Sequence, residues 1–103
     1  MAKVYNFTAS FSNNIWINGG RNFNKPLSVM LGVQGKANVG IVLQKAVTGG
    51  YVDAGRLNTG DFEGAINFPI DHLTQGGGVY RIRLVNNRYN TQVNVTNGQL
   101  YYT

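Results

Sequence analysis

Residues 93–103 read "VNVTNGQLYYT". Asn97-Gly98 is the sequence of a type I′ turn, which needs positive φ at both central residues. A two-residue hairpin here pairs Val95 with Leu100 and Val93 with Tyr102, so those four side chains share one face. Asn94, Thr96, Gln99 and Tyr101 share the other. The first face reads as core, and the second raises the question of what it contacts.

The same alternation of apolar and polar residues recurs along the chain, and helical periodicity is nearly absent. In "KVYNFTASF", Tyr5, Phe7, Ala9 and Phe11 point inward while Val4, Asn6, Thr8 and Ser10 point outward. "PLSVMLGVQ" gives an inward set of Leu27, Val29, Leu31 and Val33, and "NVGIVLQKAV" a set of Val39, Ile41, Leu43 and Val47, interrupted by Lys45. "DFEGAINF" places Phe62, Gly64, Ile66 and Phe68 inside, and "VYRIRLV" does the same for Tyr80, Ile82 and Leu84. Turns are expected at Gly49-Gly50, pairing Val47 with Val52, and in "IWINGGRNF", where a four-residue loop sets Trp16 beside Phe23. "FPIDHLTQGGG" (68–78) is the one place for a short helical turn, and "NNRYN" (86–90) is a polar connection.

About eight or nine short strands result. With no helix to cover a sheet, two antiparallel sheets are expected to bury each other's apolar faces. The reading is all-β: a single-domain antiparallel β-sandwich over residues 1–103, with jelly-roll connectivity as one form of it and a closed β-barrel as the alternative.

The composition is unusual in what fills the surface. Charged residues are 13% of the chain, while asparagine and glycine each occur 14 times. Soluble domains ordinarily carry about 25% charge. The exterior is therefore built from amides, hydroxyls and phenols, which are cheap to desolvate against a sugar or another copy of the chain. The net charge of +5 comes from scattered basic residues, with only Arg81, Arg83 and Arg88 approaching a cluster. There is no cysteine, hence no disulfide or thiolate metal site. The opening residues hold no apolar run of signal-peptide kind, and no stretch approaches a membrane span.

Catalytic chemistry finds few groups to work with. His72 is the one histidine, beside Asp71, and no serine sits in a nucleophile elbow. Asp61 and Glu63 share a strand face with no calcium-loop spacing around them. "GVQGKA" lacks the P-loop spacing, and "GGG" (76–78) leads into a strand and not a helix. The sequons at Asn6 and Asn94 fall inside expected strands. No catalytic residue, metal ligand or cofactor is assigned.

What is left is contact. The expected function is a non-catalytic structural subunit that assembles with itself into a filament, shell or surface layer, in a surface-exposed or extracellular setting. Its edge strand would carry Val4, Asn6, Thr8 and Ser10, and its binding or assembly face Asn94, Tyr101, Gln92, Gln99, Trp16, Arg81 and Arg83. The alternative is a carbohydrate-binding module stacking sugars on Trp16 and Tyr101, with Tyr51 and Tyr89 as further candidates. Nucleic-acid binding through Arg81, Arg83 and Arg88 is the weaker reading.

Overall fold

The computed structural model describes residues 2–88 and 90–103. Seven strands form: β1 (Lys3–Phe11), β2 (Asn14–Trp16), β3 (Phe23–Asn24), β4 (Ser28–Val47), β5 (Gly50–Pro69), β6 (Val79–Asn86) and β7 (Val93–Tyr102). Three-residue and four-residue 3₁₀ turns cover Asp71–Leu73 and Ile17–Gly20. The chain is all-β and antiparallel throughout.

All seven strands hydrogen-bond into one curled sheet. This differs from the expected sandwich of eight or nine strands in two separate sheets, and the reason is β4. Two expected strands fuse into this 20-residue strand, with an irregularity between Val33 and Ala37 where Gly35 takes φ 78°. Along one edge β4 pairs with β5 for nearly its whole length. Along the other, Ser28–Val33 pairs with β7 and Val39–Lys45 with β6. The sheet thus divides into a β7–β1 wing and a β6 wing bordered by β2 and β3.

The wings curl toward each other, because both carry apolar side chains on the same concave side. Val29, Leu31, Val39, Ile41 and Leu43 of β4 meet Ile82 and Leu84 of β6 and Leu100 of β7, all fully buried. At the rim, Phe23 on β3 packs against Tyr102 (centroids 5.0 Å apart, edge-on) and Tyr5 (5.4 Å). The Thr103 N–H donates to the Asn24 carbonyl (3.0 Å) and the Leu27 N–H to the Tyr101 carbonyl (2.8 Å). The result is a half-barrel around one core.

Two expected hairpins are corrected. Asn97-Gly98 makes no turn: both residues lie inside β7, and neither has positive φ. Between β7 and its neighbours the register slips, so that Val33 faces Val95 while Gly32 faces Asn97, leaving Thr96 as a bulge. A bulge changes strand parity as a turn does. Val93, Val95, Leu100 and Tyr102 therefore still share the core face, as the pattern required, within a continuous strand. Gly98 is needed for a different reason than turn geometry: a Cβ there would stand 2.5 Å from the Phe7 ring. Bonding to β1 on one side and β4 on the other also satisfies more backbone than a lone hairpin.

Trp16 and Phe23 do not pair across a hairpin either. Both border β6, Trp16 opposite Arg83 and Phe23 opposite Tyr80, with the 3₁₀ turn looping out between them. The β4–β5 hairpin forms where expected, with Val47 facing Gly50 in place of Val52. The turn's centre is Thr48-Gly49, with Gly49 at φ 88°. This slip of two keeps Val52 on the same face as Val47.

Candidate binding and assembly surfaces

The outer faces of the two wings carry different chemistry. On the β7–β1 wing, cross-strand neighbours form a ladder of neutral polar groups. Asn94 faces Ser10, Gln99 faces Asn6, and Tyr101 faces Val4. The Ser10 hydroxyl donates to Asn94 Oδ1 (2.8 Å), and Gln92 Nε2 donates to Ser10 Oγ. Gln99 Nε2 donates to Asn6 Oδ1 (3.2 Å), and the Tyr101 hydroxyl to Gln99 Oε1 (2.6 Å). Val4, Asn6, Thr8 and Ser10 are exposed along β1, which lies at one end of the sheet. Such a ladder is self-satisfied. It fixes the side chains in rows without spending charge on them.

On the β6 wing the outer face is cationic and aromatic. One transverse row runs Trp16, Arg83, Val42, Arg56 across β2, β6, β4 and β5. The next row holds Arg81, Gln44 and Asp53. The Arg81 guanidinium lies 4.4 Å from the Trp16 ring and 3.8 Å from the Tyr51 ring, bridging β2 to β5. Its Nε donates to Gln44 Oε1 (2.8 Å), and Gln44 Nε2 donates to Asp53 Oδ1 (3.0 Å). The Tyr51 hydroxyl donates to Asn22 (2.8 Å). Beside this row is a hollow of about 330 Å³ lined by Val42, Asp53, Gly55, Arg56 and Arg83.

The structure therefore separates residues that the sequence reading grouped. Asn94, Gln92, Gln99 and Tyr101 come together with β1, while Trp16, Arg81 and Arg83 form the second group. Trp16 is half-buried and stands outside the core, with Gly20 packed against its indole and Arg81 over its ring. Its ring is an internal strut more than a free platform for sugars. Arg88 belongs to the connection after β6, where its N–H is bonded to Asn86 Oδ1 (2.9 Å), and Arg56 takes the place expected of it. Tyr89 lies outside the described residues. Sequence reasoning gave Arg56, Gln44 and Asp53 no place on this face, because only the β4–β5 and β4–β6 registers bring them beside Arg83.

The third surface is the free edge of β5. This strand holds three of the chain's four acids and one of its nine basic residues, a net of −2 against +7 elsewhere. Its core-side residues run past the limit of the core. Phe62 and Phe68 stay half-buried as an edge-on pair (centroids 5.0 Å), and Ile66 between them is 41% exposed, not inward as its position suggested. Gly55, Gly60 and Gly64 take positive φ, and register shifts break the strand near each. From Gly64 to Pro69 the pairing with β4 is regular and the sequence uncharged.

Asp71 and His72 are exposed in their 3₁₀ turn. Among the described residues no group of three or more metal-ligating side chains gathers. No helix among the described residues is long and apolar enough to cross a membrane. Compared with known proteins, the chain matches no family model, no curated protein and no solved structure.

Proposed function

We propose that this protein is a non-catalytic structural subunit that assembles with copies of itself through its strand edges. The observation that carries this reading is β5: twenty residues of sheet with one neighbour only, an apolar Phe62–Ile66–Phe68 strip left half-open, and most of the acids of an otherwise basic chain. Free edges are templates for further strands, and monomeric proteins usually blunt them with charge, proline or bulges. The bulges of β5 blunt it up to Gly64. The Gly64–Pro69 stretch has only its final proline for protection, and β1 has only Lys3.

A β1 edge from one copy added to the Gly64–Pro69 edge of the next joins two different surfaces. Contacts of that kind propagate into filaments unless the rotation closes a ring. The charge division favours the same encounter, acidic edge toward basic body, and makes it sensitive to salt. The sugar-stacking alternative is weakened by the covered ring of Trp16.

Light scattering and negative-stain imaging of purified protein test the reading. Wild-type protein is expected to form fibres or rings that shrink as salt rises, and Ile66→Lys to remain small while melting within a few degrees of wild type. A wild-type monomer at every attainable concentration and salt would overturn it.

A further inference from the structure

The hollow on the β6 wing has the construction of a prepared anion site. Arg56 lies flat against Gly40, where a Cβ would stand 2.5 Å from its guanidinium. Neutral acceptors hold it on two sides: its Nε donates to Asn58 Oδ1 (2.8 Å) and its Nη2 to Asn87 Oδ1 (2.7 Å). Asn87 is itself anchored, donating to Asn58 Oδ1 (3.1 Å) and Asn38 Oδ1 (3.2 Å). The guanidinium is thus oriented in advance by neutral acceptors. Arg83 lines the same hollow, its guanidinium 5.3 Å from the Trp16 ring and its Nε buried without a hydrogen-bond partner. The one acid of the row, Asp53, is engaged by the Gln44 amide.

We infer that this hollow binds the oxyanion of an acidic polysaccharide, a carboxylate or sulfate ester held between Arg56 and Arg83. Planar guanidiniums fixed in place recognise such groups through paired charge-assisted hydrogen bonds. Asp53 lines the same space and accepts a hydrogen bond from a neighbouring sugar hydroxyl. Arg81 occupies ring faces of Trp16 and Tyr51 on which nucleobases would stack, which disfavours a nucleic-acid strand. A hollow of about 330 Å³ is at the small end of ligand sites, suited to one or two sugar units of a longer chain. The site goes beyond the assembly reading and is independent of it, since it uses the outer face of the sheet and not a strand edge.

Calorimetric titration of the full chain with four probes tests this: an oligogalacturonate, a sulfated oligosaccharide, a neutral galactan oligomer and a single-stranded oligonucleotide of equal length. At least one acidic sugar is expected to bind, the neutral one not, and the two acidic probes reveal which oxyanion is preferred. Arg83→Gln and Arg56→Gln should each weaken binding about tenfold or more, the loss of one charge-assisted hydrogen bond. Gly40→Ala keeps every charge and has ordinary backbone φ, yet places a methyl where Arg56 lies, so it should weaken binding as much. Lys36→Gln, exposed on the β4 irregularity, should change affinity little. Circular dichroism melting confirms that each variant folds. Absence of binding to both acidic sugars, equal binding of the neutral oligomer, tighter binding of the oligonucleotide, or full affinity in Gly40→Ala would overturn the inference.

Discussion

Strands β4 and β5 are the same length, are joined by a tight turn and bond to each other along almost their entire extent, yet one is the centre of the protein and the other its margin. Across a single rung Leu31 is fully buried and Ile66 is 41% exposed. Both are branched aliphatics on the same face. What separates them is the number of neighbours. β4 is flanked on both edges and roofed by the two wings, whereas β5 has β4 alone. Burial here comes from position in the sheet, and an apolar residue on a strand is only a candidate for it.

The sharpest way to break the comparison is to truncate both members of that rung. Leu31→Ala should cost about 2–5 kcal/mol, since it opens a cavity beneath both wings. Ile66→Ala should cost about 0.5 kcal/mol or less in the subunit dispersed at high salt, as exposed sites usually do. Urea titrations of the two variants measure the difference, and equal losses would mean that β5 is covered in solution.

A smaller effect is expected where β4 acquires its second neighbour. Gly98→Ala pushes a methyl into the Phe7 ring and should cost about 1–3 kcal/mol, as overpacking does. Hydrogen exchange should then quicken at Val29 and Leu31, which depend on β7, before it quickens at Ile41 and Leu43, which depend on β6. A smaller loss than that of Gly98→Ala belongs to Arg81→Gln, which removes the cation between Trp16 and Tyr51. A loss of about 1 kcal/mol is expected, with faster exchange confined to the turn end of β5 near Tyr51.

Local pattern made some of this architecture legible in the sequence. Tyr5, Phe7, Ala9 and Phe11 of β1, and Tyr80, Ile82 and Leu84 of β6, face inward as their alternation required. The faces of β7 were read correctly through a turn that does not exist. Asn97-Gly98 and the glycines around Gln34 look like chain reversals, but adjacent strands run straight past both, so each becomes an irregularity within a longer strand. Glycine marks a break in the pleat. Whether the chain then reverses depends on neighbours far away in sequence. Arg56 was illegible for the same cause, because nothing near it announces that Gly40, Asn58 and Asn87 will surround it.

The pairing of β1 with β7 has a consequence for the order of events at the ribosome. Ser10 and Asn94, bonded in the folded protein, are 84 positions apart. β1 is synthesised long before its hydrogen-bonding neighbour exists, while the β4–β5 hairpin, a local reversal, can form at once. During that interval a neutral amphipathic ribbon waits beside a nascent sheet, exposed to other newly made chains. Vectorial synthesis therefore makes β7 the closing step and leaves β1 the segment most in need of protection until it arrives.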